Sequence, residues 1–168
     1  MAETLITIRD ARERDAEAIA EVHDAAWRHA YRGIIPGREL ERMIARRGPS
    51  WWRSAIQRRS RLVVLDFDDA IGGYASYGRN RVPAMNFGGE IFELYIAPEF
   101  QGLGFGKRLF GAARKDLAEH GYASFLVWAL ADNEPALDFY TRLGGKVVRR
   151  AYERFGSEQR ERVAFAFQ

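Results

Sequence analysis

The hydrophobic pattern changes period along the chain, and each change marks an element. Leu5-Ile6-Thr7-Ile8-Arg9 alternates as a short edge strand. After Asp15, a candidate N-cap, Ile19, Val22, His23, Ala26 and Ala30 recur at helical spacing, which predicts an amphipathic helix running to Tyr31 and stopping at Gly33. Pro36-Gly37 reads as a turn. Leu40, Met43 and Ile44 predict a second helix, and the Gly48-Pro49 break before Trp51, Trp52, Ala55 and Ile56 predicts a third short helix or a continuation of the second. From Arg61 the period shortens to that of strands. Arg61 to Phe67 and Ala70 to Tyr77, joined at Asp68-Asp69, predict a hairpin. A polar loop through Asn80, Pro83 and Asn86 leads into a strand from Glu90 to Ile96, ended by Pro98. Leu109, Phe110, Ala113 and Leu117 mark a helix closing at Gly121, and the nearly unbroken apolar run from Ala123 to Leu130 predicts a strand buried on both faces. A helix from Asn133 to Leu143 ends at Gly144-Gly145, and two strands, Lys146 to Arg154 and Arg162 to Phe167, flank a turn at Gly156-Ser157. The order β α α β β β α β α β β predicts an α/β domain around a mixed sheet.

Composition narrows the chemistry. The 168 residues suit one domain, spanning residues 1–168, which is large enough to hold a core without metal or disulfide staples. There is no Cys, which excludes a thiol nucleophile, a thiolate zinc site and a disulfide framework. His23, His29 and His120 are scattered, so no metal site is expected. No apolar run is long enough for a bilayer, and Met1-Ala2-Glu3-Thr4 does not open a secretory leader, so a cytoplasmic protein without a membrane partner is expected.

The net charge of +3 hides an asymmetry. Eight Arg face only Glu39 and Glu41 between Arg38 and Arg61, whereas Met1 to Tyr31 holds four Arg against seven acids. Two solvated helix faces of opposite sign account for this, or an acidic mouth near the first helix that draws a cation. The basic segment lacks zinc-ligand spacing, interleaved Gly/aromatic motifs and a recognition helix, so a nucleic-acid partner is not expected.

The most informative stretch is Gln101-Gly102-Leu103-Gly104-Phe105-Gly106-Lys107, between a strand and a helix. Glycines there let backbone N–H groups approach a phosphate at the helix N-terminus, although a tight turn without ligand has the same look. Two common phosphate loops are excluded. Only three residues separate Gly102 from Gly106, and Arg108 follows Lys107, which breaks the Walker spacing; the third Gly of a dinucleotide fingerprint is replaced by Lys107.

Glu93-Leu94-Tyr95-Ile96-Ala97-Pro98 followed by Gln101 to Lys107 resembles the acetyl-CoA motif of the GNAT superfamily of N-acetyltransferases. Asn133-Glu134-Pro135-Ala136-Leu137-Asp138-Phe139-Tyr140 through Gly144 resembles a second motif of that superfamily, in the right order and on a matching element. Gly145 departs from it, standing where the family usually has Phe, which leaves a hydrophobic contact to another side chain. The resemblance implies a single GNAT-like α/β domain, with a mixed, mostly antiparallel twisted sheet of about seven strands flanked by about four helices.

It also implies an acetyl-CoA-dependent N-acetyltransferase, without metal, that moves acetyl to a primary amine of a small molecule or peptide by direct attack. Missing Cys fits that chemistry. By resemblance, backbone N–H groups of Gly102, Leu103, Gly104, Phe105, Gly106 and Lys107, with Gln101 beside them, cradle the pyrophosphate. Leu94, Tyr95 and Ile96 lie where family members carry a bulge that aims N–H groups at the thioester carbonyl and splays the strand to admit the pantetheine arm. In a regular strand Phe92, Leu94 and Ile96 would share one face and Glu93 and Tyr95 the other. Tyr140 is the implied acid for the CoA thiolate, or simply an aromatic packed between helix and sheet. Asn133 is implied to bind the pantetheine arm, a role compatible with capping its helix.

Glu93 is either the base, an anchor for the substrate cation, or an ordinary strand carboxylate. Some relatives that acetylate protein N-termini carry an acid where this chain has Trp128, which argues against their mechanism here. Trp27 and Tyr31, with the turn Gly33 to Pro36 and with Glu21 and Asp24 one turn back, either contact the acceptor or pack as a helix-face pair. A non-catalytic acyl-CoA-binding regulatory module on the same fold is the alternative. The acceptor's identity, the acyl length and the oligomeric state, a homodimer included, stay open.

Overall fold

A computed structural model describes residues 5–58, 61–82 and 84–168. The leader reading at Met1 to Thr4, Pro83 of the polar loop and Arg59 of the basic segment lie outside the described residues. Seven strands and five helices follow in the order β1 (Ile6–Asp10), α1 (Ala16–Tyr31), α2 (Gly37–Ala45), α3 (Pro49–Gln57), β2 (Leu62–Phe67), β3 (Ala70–Arg79), β4 (Gly89–Ile96), α4 (Phe105–Glu119), β5 (Phe125–Leu130), α5 (Glu134–Arg142), β6 (Lys146–Phe155) and β7 (Glu158–Phe167). Pro49 at the first turn of α3 makes that segment a helix of its own, because proline lacks the N–H that a continuing α2 would need. Asp15 is the N-cap residue of α1, but its side chain makes no capping hydrogen bond there. Its carboxylate turns back to accept from the Arg12 N–H at 2.7 Å and from the Arg9 guanidinium at 2.8 and 3.0 Å, which ties the start of α1 to β1.

The strands form one sheet in the order β1-β2-β3-β4-β5-β7-β6, antiparallel except for the β4–β5 pair. Alternation sorts its side chains. Val63, Leu65, Ala75 and Tyr77 join Leu109, Phe110 and Leu117 of α4 on one face, while Val64 and Tyr74 join Ile19 of α1 and Trp52 of α3 on the other. Full burial of each large apolar side chain contributes roughly 1.5–3 kcal/mol, so both helical layers are anchored by the same two-residue period. The β2–β3 turn holds Asp68 and Asp69 at φ +53° and +70°, stabilised by the Asp69 N–H donating to Asp66 at 2.9 Å.

Two irregularities shape the centre. Leu94–Ile96, where the resemblance placed a bulge, pair regularly with Gly73–Ala75, but the β3–β4 register then passes from Ser76 opposite Glu93 to Tyr77 opposite Ile91, leaving Phe92 as an extra residue on β4. This bulge resets the alternation: Ile91 and Leu94, three apart, both pack on the α4 face. Leu94 and Ile96 share that face and Tyr95 takes the other, as a regular strand requires. Phe92 leaves it, its ring lying under the Arg81 guanidinium at 4.3 Å and beside Gly78.

The second irregularity is a divergence. β4 and β5 pair only over Gly89–Ile91 and Phe125–Val127, so from Phe92 onward the two strands part. Phe125, Leu126 and Val127 are buried, but Trp128 and Ala129 are only half-buried because their neighbour has moved away. Burial of that strand on both faces is therefore interrupted at Trp128 and Ala129, and Leu130 is buried again beside Tyr31 and Leu40.

At Gly145 an added Cβ would sit 2.6 Å from the Phe167 ring and 2.9 Å from the Tyr140 carbonyl oxygen. Phe167 fills the space that a Phe at 145 would claim, and the Gly145 N–H donates to the Tyr140 carbonyl at 2.9 Å. No helix among the described residues is long and apolar enough to cross a membrane.

Candidate active site

The parting of β4 from β5 opens a cavity of about 620 Å³ through the middle of the sheet. Ala97 donates its N–H to the Gly72 carbonyl at 2.9 Å, which fixes Ala97 as facing β3. Because backbone direction alternates along an extended strand, the main-chain groups of Leu94 and Ile96 face the opening instead. The Gln101 side-chain amide donates to the Ile96 carbonyl at 3.2 Å, fastening the glycine loop to the end of β4.

That loop delivers α4 to the rim. Gly102 and Gly104 adopt φ of +79° and +78°, the left-handed region in which a Cβ is strained, and Gly104 is the N-cap of α4. The first N–H groups of a helix have no intrahelical acceptor, so the Phe105, Gly106 and Lys107 amides present donors and partial positive charge to the rim. Gly106 is needed for space, since an added Cβ would lie 3.2 Å from the Phe139 ring on α5. At Gly104 the constraint is conformational, for nothing lies within 4 Å.

Across the opening stands α5. Asn133 caps it, accepting from the Ala136 N–H at 3.3 Å, and both residues line the cavity. Tyr140 is 6% exposed, packed among Phe110, Phe139, Phe165 and Phe167, and also reaches the cavity. Burial, with a smaller push from Tyr31, raises the Tyr140 phenol well above its ordinary value, so the group is protonated at neutral pH. Tyr31 and Tyr95 share a 2.6 Å hydroxyl–hydroxyl hydrogen bond on the α1 side, and burial raises both phenols as well.

Glu93 lines the same cavity, with 12% of its side chain exposed. One carboxylate oxygen pairs with the Arg47 guanidinium, and the other accepts from the Tyr74 hydroxyl at 2.7 Å. The residue is therefore a clamped anion, not a free strand carboxylate.

The cavity gathers Glu93, Leu94, Tyr95, Ile96, Gln101, Gly102, Gly104, Phe105, Gly106, Lys107, Asn133, Tyr140 and Tyr31 around one space. Leu103 stays outside it, 59% exposed at the tip of the loop. Trp27 is also outside. It is buried between His23, Tyr31 and Tyr95, so of the helix-face pair only Tyr31 faces the cavity. Glu21 and Asp24 open onto a separate groove between α1 and the α2–α3 segment.

Sequence reasoning missed His29, Phe92, Asp132 and Arg142 as lining residues, and named Trp128, which also lines the cavity, without a contact role. The Ala26–His29–Ala30 stripe on α1 carried a signal for His29. Phe92 had none, because its position follows from the bulge. No group of three or more metal-ligating side chains occurs among the described residues.

Known proteins are similar to this chain in sequence and in fold. The model described as the acetyltransferase (GNAT) family matches residues 19–145. The chain is 31% identical over 136 residues to YuaI, an uncharacterized N-acetyltransferase of Bacillus subtilis, covering 81% of this chain and 78% of that one. Among solved structures it resembles the PaiA N-acetyltransferase of Thermoplasma acidophilum in complex with coenzyme A (TM-score 0.74, 21% identity, 94% of this chain and 98% of that one). It also resembles YncA, a putative acetyltransferase of Salmonella typhimurium with acetyl-CoA (TM-score 0.69, 20% identity, 97% and 93%). At these identities the two structures speak for the fold.

Proposed function

Because this chain belongs to the acetyltransferase (GNAT) family, we propose that it transfers acetyl from acetyl-CoA directly to a primary amine of a small molecule or peptide. One observation carries the reading: β4 leaves β5 directly opposite the N-terminus of α4 and beside Tyr140. A thioester needs such a slot, with phosphate oxygens at one end and a proton donor near the sulfur.

In this reading the pyrophosphate meets the α4 amides from Phe105 to Lys107, and the pantetheine arm lies in the β4–β5 gap beside Asn133. The neutral amine attacks the thioester carbon, and the carbonyl oxygen gains the negative charge. N–H groups of the Leu94–Ile96 segment stabilise that oxyanion. When the C–S bond breaks, the Tyr140 hydroxyl protonates the departing thiolate, and the proton lost by the amine passes through solvent in the cavity to restore the Tyr140 phenol. Glu93 serves better as the ammonium's anchor than as its base, because Arg47 and Tyr74 already engage both carboxylate oxygens.

The test is thiol release. Wild-type protein incubated with acetyl-CoA and a panel of small amines and short peptides is expected to liberate free CoA with a subset of the panel. Binding of acetyl-CoA with no release for any amine would favour a non-catalytic acyl-CoA-binding module.

A further inference from the structure

Arg47 stands apart from the basic segment around it. The other described arginines between Arg38 and Arg61 are exposed, whereas the Arg47 side chain, from the α2–α3 connection, is 29% exposed and turns inward to Glu93. Its guanidinium lies 4.6 Å from the Trp51 ring centroid and 5.8 Å from that of Trp27, so two aromatic faces hold the cation in place. The Tyr74 hydroxyl completes the clamp on Glu93 from β3, and Tyr74 is fully buried. Glu93 lines the cavity and Arg47 lines the groove between α1 and α2–α3, so their ion pair is the wall between the two.

A carboxylate held this way has a fixed direction, and the cation behind it has a second effect. An ammonium drawn to Glu93 arrives next to a guanidinium, and a like charge nearby favours the form that has lost its proton. We propose that Arg47 is a positioning residue for acetyl transfer: it orients the Glu93 carboxylate toward the acceptor, and its own charge favours the neutral, nucleophilic amine. This rests on the acetyl-transfer reading above.

Tyr74 from β3, Tyr95 from β4, His23 from α1 and Arg81 from the β3–β4 connection face this pair; Glu17, Glu21, Asp24 and Arg28 of α1 and Glu41 of α2 share the groove with Arg47, and His29 and Tyr31 of α1, Lys107 of α4, Asp132, and Tyr140 and Arg142 of α5 share the cavity with Glu93. Burial pushes Tyr74 and Tyr95 up and takes His23 down to about 4, so none of those three changes charge near neutral pH.

The experiment measures kcat and acceptor KM against pH, with melting temperature, for wild type, Arg47→Lys, Arg47→Gln, Glu93→Gln and the Arg47→Gln/Glu93→Gln double variant. In Arg47→Gln the acid limb of kcat is expected to move up by about one pH unit, lowering kcat about tenfold on that limb, and acceptor KM is expected to rise as the Glu93 carboxylate loses its orientation. Arg47→Lys restores the limb. In the Glu93→Gln background, removal of Arg47 has a smaller effect than in wild type, since the residues act as a pair. An unmoved acid limb in an active Arg47→Gln protein would overturn the proposal, as would equal losses in the Lys and Gln variants that track a fall in melting temperature. Wild-type protein that turns over no amine would instead overturn the acetyl-transfer reading itself.

Discussion

His23 shows how one residue couples the interior of α1 to pH. Its ring is fully buried, 4.7 Å from Trp27 and 5.7 Å from Trp52, and neither ring nitrogen has a hydrogen-bond partner among the described residues. Burial first, and the charge of Arg47 second, bring its pKa from 6.5 down to about 4. Above pH 6.5 the ring is neutral in both folded and unfolded chains and adds no pH dependence. As pH falls from 6.5 toward 4, the unfolded chain takes a proton that the folded one refuses, so stability drops, by at most about 3 kcal/mol, and levels off below that window. Denaturant unfolding of wild type and His23→Phe across this range is expected to show that loss in wild type alone; parallel curves would remove His23 as its source. The helical spacing made His23 legible as a core position, but its lack of any partner depends on which rings α3 brings against it.

At the scale of elements, the glycine loop and the β4 bulge were legible to different degrees. The loop could be read because left-handed φ at Gly102 and Gly104 and close approach at Gly106 each demand the residue found there. The bulge could be expected but not placed. The resemblance put one at Leu94–Ile96, nothing in Ile91-Phe92-Glu93 differs from a regular strand, and the extra residue at Phe92 appears only when β3 supplies the opposing register. The same holds for the clamp on Glu93, because Arg47 and Tyr74 lie 46 and 19 residues from it along the chain. Asp15 takes the N-cap position that the spacing predicted, but Arg9 and the Arg12 amide, not the α1 amides, engage its carboxylate. Gly106→Val tests the loop. Its side chain would press on Phe139 and narrow the space between α4 and α5, so acetyl-CoA affinity is expected to fall at least about tenfold by calorimetry, the equivalent of about 1.4 kcal/mol. Unchanged affinity would separate the α4 N-terminus from acetyl-CoA binding.

For the whole molecule, the sheet does two jobs with one topology. Antiparallel pairing on both sides carries the core, while the single parallel junction between β4 and β5 supplies the place where the sheet can part. Pattern and order were enough to foresee a mixed α/β domain. Which pair would diverge came only with the resemblance at Leu94–Ile96, and that α1 would bring Tyr31 but not Trp27 to the opening required the packed structure. The central claim is that this opening performs acetyl transfer, with Tyr140 as the proton donor to the leaving thiolate. It is tested most directly by CoA release from Tyr140→Phe and wild type at saturating acetyl-CoA and acceptor amine, with acetyl-CoA affinity measured alongside. A fall in kcat of about a hundredfold with affinity retained is expected, because the lost hydroxyl supplies a proton rather than binding energy. Equal kcat in the two proteins would contradict it.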